Sequence, residues 1–389
     1  MPLLPRWFRP ARAAAPETKA SRAAALVALT AAGRPVWTPR DYESLAREGF
    51  AKNPVAYRCV RMIAEAAASV PLAVFSGGRR ADDHPLRRLI DRPNPEQGGP
   101  DLMEAFFGAL QVSGNGYLEA AGEGQSAGPV SELYALRPDR MKVIPGRQGW
   151  PEGYEYGVAG RSVRLVRDAD GWLPVLHLKL FNPADDYYGA SPLEAAAFAI
   201  DVHNASGAWN KALLDNSARP SGALVYSNPE AGDRLSEAQF ETLKAELEAR
   251  AGPAAAGRPL LLEGGLDWRP MSLSPHDMDF IAGKHAAARE IALAFGVPPQ
   301  LLGIPGDNTY ANFREANGAF WRHTVVPLAE RAARALTGWL GAKHPGTKIA
   351  CDLDAVPALS AERDALWARL DAASFLTAEE RRRAAGLEH

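Results

Sequence analysis

The sequence is short of the residues that carry most recognisable chemistry. It holds two cysteines, Cys59 and Cys351, far apart and with no CxxC pair or His-rich spacing around either. That excludes a disulfide framework and a thiolate zinc site. The two read as reduced core thiols, which fits a cytosolic site of assembly. No apolar run approaches the roughly 20 residues that a membrane helix needs. Net charge is −2 over 389 residues, so there is no general basic field to hold nucleic acid. Gly283-Lys284 lacks the upstream glycine of a phosphate loop. The stretch GNGYLEAAG at 114–122 is not GxGxxG and leads into a strand, the wrong context for a dinucleotide fold. GxSxG is absent. His276-Asp277-Met278-Asp279 gathers metal-type donors, but the spacing matches no standard ligand set. Acidic residues in a first helical turn are explained by capping and the helix dipole. His177 and His203 sit on apolar elements and read as satisfied core histidines. Asp185-Asp186 and Asp352-Leu353-Asp354 read as turn and loop carboxylates. No catalytic residue, metal ligand or cofactor site is assigned, and the chain reads as a non-enzyme. A hydrolase working through Asp or His without a recognisable motif is the competing class.

What is present centres on residues 274–341. Ser274 as N-cap, Pro275 at the first helical position and Asp277 at the third open a helix. Leu273 and Met278 stand at staple positions. Met278, Ile281, Ala288, Ala292 and Phe295 fall on one face at helical spacing. Gly296 and the run Val297-Pro298-Pro299 end it. A second helix is predicted from Thr309 to about Leu340, with Phe313, Phe320, Thr324, Leu328, Ala335 and Trp339 as its apolar face. Pro327 should kink it. Such a helix spans about 45 Å, more than an ordinary small domain needs.

Around this centre the chain reads as α+β. Residues 1–40 carry seven Lys/Arg against the single acidic Glu17, with scattered prolines, and read as a flexible basic arm. Asn53-Pro54 opens a helix to about residue 69, followed by a strand at 72–75 and a short helix at 84–91. A helix at 101–112 turns at Gly114-Asn115-Gly116 into a strand at 117–120. Short strand-like runs separated by Gly, Pro and Asp fill 133–181, so 40–190 is expected to be an α+β domain with a meandering sheet. Ser191, Pro192 and Glu194 open a helix to about residue 217, crowded with small residues that let helices approach closely. A strand–helix–strand–strand insert follows. Its helix is capped by Ser236, with Phe240, Leu243 and Leu247 on the buried face, and its later strands lie at 259–263 and 266–271. After residue 341 come a strand at 349–353, a helix at 360–373 and a last helix capped by Thr377-x-x-Glu380.

Several phrases in this order resemble the tailed-phage portal protein family, in the form shared by lambda-like siphophages and bacterial gene transfer agents. They are NPVAYRCVRMIAEAAASVPLAVF, LYALRPDRMKV, DDYYGASPLEAA, FGVPPQLLGIPGDNTYANFREANGAFWRHTVVPL and FLTAEERRRAAGL. Together they cover roughly residues 50–389. One departure is Ala311 before Asn312, where the family often has serine. The resemblance implies a portal fold after the arm at 1–35. Residues 36–190 would be an α+β wing, and 191–218 and 273–296 paired stem helices. A small α/β clip insert would occupy 219–272, a tunnel loop 297–312, a long kinked helix 309–342 and a helical crown 343–389. It further implies a dodecameric ring at one capsid vertex, assembled in the bacterial cytoplasm. Double-stranded DNA would pass through the ring non-specifically. The partners implied are the terminase large subunit as a separate ATPase motor, a head–tail adaptor and the major capsid protein. The missing phosphate loop suits a conduit. The tunnel-loop residues would be Ile304, Asp307, Asn308, Thr309 and Tyr310. Channel-lining candidates are Lys211, Lys284 and Arg289, diluted by Asp201, Asp215, Asp279 and Glu290. Docking of motor or adaptor would fall to Glu241, Glu246 and Glu248 on the clip helix. Another head–tail connector ring protein is the nearer competing reading.

Overall fold

Asn53 shows how local chemistry starts this fold. Its side-chain Oδ1 accepts from the amides of Val55 and Ala56 at 3.1 and 3.0 Å, capping helix α2, Pro54–Ala68. Upstream lies α1, a turn of helix at Tyr42–Ser44 that widens into a π-helical segment, Leu45–Ala51. The buried residues of α2 are Ala56, Cys59, Val60, Ile63, Ala64 and Ala67, one stripe at helical spacing. α3 is Pro85–Asp91. The stripe of α2 packs on α4, Gly99–Ser113, whose Phe106, Phe107 and Leu110 are fully buried. Gly114 ends α4 with φ 75°, and a Cβ there would lie 2.5 Å from the Ala190 carbonyl carbon, so glycine is required twice over. The computed structural model describes residues 38–39, 41–122, 130–147, 149–215, 222–226, 236–249, 266–270, 280–306 and 309–385.

The strands do not form one meander. β1, Leu72–Ser76, lies between β2, Arg79–Arg80, and β11, Thr347–Cys351, all antiparallel. β3, Asn115–Ala121, lies between β4, Glu132–Leu136, and β8, Val175–Lys179. β5, Met141–Pro145, pairs with β6, Pro151–Val158, and β6 with β7, Arg161–Val166. The turn Pro138–Arg140 redirects the chain between the second and third sheets. They share a small apolar cluster of Tyr117, Leu136, Met141, Tyr154, Leu165 and Val175.

The helix expected from Ser191 divides. α5 is Pro192–Ala195 and α6 is Ala197–Asp215, with Ala196 between them at φ −85°, ψ −3°. α6 packs along α8, Phe280–Ala294; α6 buries Ala199, Ile200, His203 and Ser206, and α8 buries Ala287, Ala288, Ile291 and Ala292. The insert between them shows β9, Gly222–Tyr226, antiparallel to β10, Leu266–Pro270, and α7, Glu237–Ala249. Ser236 and Gln239 cap α7 reciprocally. The expected strand at 259–263 and the caps Ser274 to Asp277 lie outside the described residues.

α9 is Tyr310–Phe320 and α10 is Val326–Leu340, joined without a break by a π-helical turn, Trp321–Val325. The disturbance expected at Pro327 is taken up in that wider turn. Pro327 is the second residue of α10, directly after that turn. α10 buries Leu328, Ala329, Ala332, Ala333, Leu336, Trp339 and Leu340 against β8 and β11. α11, Ser360–Ala372, and α12, Ala378–Ala384, follow, the latter with the expected Thr377/Glu380 capping box. Three residues placed on apolar faces by periodicity are instead exposed: Phe240 at 54%, Ile281 at 66% and Phe313 at 50%. Periodicity chooses a face, but a face is buried only where a neighbouring element covers it. Ile281 and Phe313 sit in the first turns of α8 and α9.

Candidate functional site

The expected loop between α8 and α9 is anchored along most of its described length. Gly296 adopts φ 65°, and its carbonyl accepts from Thr324 Oγ1 at 2.7 Å, tying the end of α8 to the π-turn. Val297 is buried. A 3-10 turn, Pro299–Leu302, leads to Gly303 at φ 69°. Ile304 is 7% exposed, so it is an anchor of the loop and not part of its surface. Arg289 Nη2 donates to the carbonyl of Pro305. Thr309 Oγ1 accepts from the amide of Asn312 at 3.2 Å and caps α9. Asp307, Asn308 and the side chain of Tyr310 lie outside the described residues.

The three channel candidates separate. Lys211 is exposed on α6. Lys284 is half-buried on α8 and lies over Gly207, 3.9 Å from where a Cβ would stand. Arg289, also on α8, is exposed but committed to Pro305. Of the acidic residues expected to dilute them, Glu290 is exposed on α8. Asp201 accepts from the amide of Thr38 at 3.0 Å and from its hydroxyl. Asp279 and the side chain of Asp215 lie outside the described residues. Glu241 is exposed on α7, and the side chains of Glu246 and Glu248 lie outside the described residues.

Three buried polar joints hold these elements to the core. Asn53 Nδ2 reaches His203 Nδ1 at 3.2 Å and Asn204 Oδ1 at 3.0 Å, while Asn204 Nδ2 donates to the Glu48 carbonyl. This ties α6 to α2 and to the π-helical segment Leu45–Ala51 before it. Burial lowers the His203 pKa, with Lys284 and His285 acting in the same direction. His177 sits between the Tyr154 hydroxyl at 3.2 Å and Asn115 Oδ1 at 2.9 Å, stacked on Tyr117. Burial holds its pKa down at about 3. Both histidines fit the expected satisfied core role. The third joint was invisible in sequence. Trp172 and Trp339 stack at 6.0 Å, Trp172 Nε1 donates to the Trp339 carbonyl at 2.9 Å, and Trp339 Nε1 donates to the Leu173 carbonyl at 2.8 Å. Lys343 lies 4.8 Å from the centre of the Trp172 ring and pairs with Asp168 at 2.7 Å. The hydrogen bond from Lys343 holds the Asp168 carboxyl below the usual carboxylate range. No signal links residues 168–172 to 339–343 in one dimension.

Among the described residues no group of His, Cys, Asp and Glu could hold a metal ion. The thiols of Cys59 and Cys351 are free, and burial pushes both up to about 12. No described helix is long and apolar enough to cross a membrane. The family model for phage portal proteins matches residues 54–386. The chain belongs to the phage portal protein family. An uncharacterized protein of Rickettsia bellii is 41% identical over 345 residues, 87% of this chain and 88% of that one. The portal protein of Enterobacteria phage HK97 is 26% identical over 313 residues, 76% of this chain and 69% of its own length. Among solved structures, the neck of an empty gene transfer agent particle with C6 symmetry contains a chain 54% identical, with TM-score 0.71, covering 91% of this chain and 95% of that one. The neck of a native particle with C12 symmetry contains one 52% identical, with TM-score 0.69 and the same coverage. The fold is accordingly that of a portal, mixed helix and strand, and the family is structural rather than enzymatic.

Proposed function

We propose that twelve copies of this chain form a ring at one capsid vertex, the channel through which DNA is packaged and ejected. The observation that carries this is the identity above 50%, over nine-tenths of the chain, with a component of gene transfer agent necks that have sixfold and twelvefold symmetry. In this reading residues 1–35 are a basic arm and 36–190 the wing. Residues 191–218 and 273–296 are the stem, 219–272 the clip, and 297–312 the tunnel loop. Residues 309–342 are the long helix and 343–389 the crown. The close pairing of α6 and α8 through small residues suits two helices that must share a ring wall with their neighbours. The near-zero net charge suits passage. Each Lys or Arg fixed on a phosphate adds counterion-release affinity, and a strongly basic lining would hold DNA instead of passing it.

The clip is the proposed docking surface for the terminase motor and then the head–tail adaptor. Residues 219–272 carry six basic and eight acidic residues, and the described part of α7 presents Glu241 to solvent. Reversing Glu241, Glu246 and Glu248 to Lys is expected to leave rings intact and weaken capture of the motor in a pull-down. Unchanged capture would remove the clip helix from the docking surface. For the ring itself, native mass measurement of the purified chain is expected to give a closed twelve-membered species. A monomer under all conditions would argue against it.

A further inference from the structure

Arg289 reads in sequence as a positive charge available to DNA, but in the fold its guanidinium is already engaged. Nη2 donates to the Pro305 carbonyl, 16 residues further along the chain. The residues around that carbonyl are arranged for the contact. Gly303 turns the chain at φ 69°, Ile304 is buried, and Pro305 has a fixed φ and no amide to offer elsewhere. Gly306 follows, and a Cβ built there would lie 2.7 Å from the same Nη2. A side chain at 306 would therefore press on the guanidinium tip and oblige it to shift. The other end of the loop is held independently by Thr324 on Gly296.

We infer that Arg289 is a positioning residue that pins the turn 303–306 onto α8. This rests on reading 297–312 as the tunnel loop. The opposing possibility is that Arg289 acts on DNA as a free charge. Gly306 separates the two. Gly306→Ala crowds the guanidinium tip, the flexible end of a long side chain, and leaves its charge in place, whereas Arg289→Met removes the donor and the charge together. Arg289→Lys keeps the charge but loses the planar fork of donors.

The test has two arms. Hydrogen exchange on the purified protein reads the amides of Leu302, Gly303, Ile304 and Gly306. Exchange there should quicken about tenfold in Arg289→Met, the size expected for losing one charge-assisted hydrogen bond, and by less in Gly306→Ala, where the guanidinium only has to shift. The double variant should be no faster than Arg289→Met alone, because both changes act on the same contact. The second arm measures the fraction of particles that retain DNA, which should fall in Arg289→Met and, to a smaller extent, in Gly306→Ala. Arg289→Lys should not restore it fully. Unchanged exchange in Arg289→Met overturns the pin and leaves the portal reading untouched. DNA retention lost in Arg289→Met but normal in Gly306→Ala and Arg289→Lys identifies a DNA-facing charge and also overturns it. Faster exchange with normal retention in both variants would show a pinned turn with no part in DNA passage, which counts against the tunnel-loop assignment itself.

Discussion

Replacing His177 by Gln should flatten the loss of stability that acid causes. The ring is neutral in the fold, and its tautomer follows from its neighbours. Asn115 Oδ1 already accepts from the amide of Gly189 at 2.8 Å, so it is an acceptor and His177 Nε2–H donates to it. Nδ1 then accepts from the Tyr154 hydroxyl. Burial, with a smaller push from Lys179, places the folded pKa at about 3, against about 6.5 in an unfolded chain. Between those values the unfolded state takes a proton that the native state refuses. The contribution is complete above about pH 6.5, shrinks by about 1.4 kcal/mol for each unit of acidification, and is gone near pH 3. By pH 4.5 it has fallen by about 2–3 kcal/mol. His203 and His344, both lowered first by burial, add slope of the same sign. Glu119, raised by burial, opposes it, because there the native state takes the proton first. The comparison with His177→Gln cancels these other groups. Gln retains one donor for Asn115 and one acceptor for Tyr154 but loses the stack on Tyr117. The variant should therefore be less stable at pH 7.5 by about 1 kcal/mol, should draw level near pH 6, and should be the more stable of the two by about 1–2 kcal/mol at pH 4.5. Urea unfolding in half-unit pH steps measures both slopes. Parallel curves for the two proteins would refute a neutral, proton-refusing His177.

Three further outcomes follow from the packing. Asn53→Ala removes the cap of α2 and leaves His203 and Asn204 short of a partner, so unfolding free energy should drop by about 2–3 kcal/mol in the same titration. Gly114→Ala forces a side chain into φ 75° and against the Ala190 carbonyl. It should lower stability by roughly 2 kcal/mol or more, seen as a fall in Tm. Cys59 should resist a thiol reagent at pH 8 in the native protein and react rapidly in urea, since burial pushes its thiol up to about 12.

The sequence made local structure legible and long-range pairing opaque. Helix starts at Asn53, Ser236, Thr309 and Thr377, and the left-handed stop at Gly296, are decided by residues within one turn, so spacing reveals them. The partner of β1 is β11, some 270 residues later, and nothing in either strand names the other. The same limit hid the Trp172–Trp339 joint. The strands of 115–179 were individually readable, but their division into two sheets depends on the turn at Pro138–Arg140 and on Tyr117 packing over Tyr154. In the candidate loop, glycine and proline marked the turn correctly. Which side chain is sunk and which is solvated depends on α8 lying alongside. Ile304 is therefore buried and Arg289 hydrogen-bonded, where the resemblance implied a tunnel-loop residue and a channel-lining charge.

The measurement that bears most directly on the proposed role is electron cryomicroscopy of the purified protein and of particles containing it. A closed ring of twelve copies of the 41.8 kDa chain is expected, on the cyclic symmetry usual for such assemblies. α6, α8 and the 297–312 loop should line a central channel that admits a DNA duplex, and DNA density should lie on its axis in filled particles. A ring whose channel is lined by other elements, or particles in which this chain lies away from the DNA axis, would contradict it.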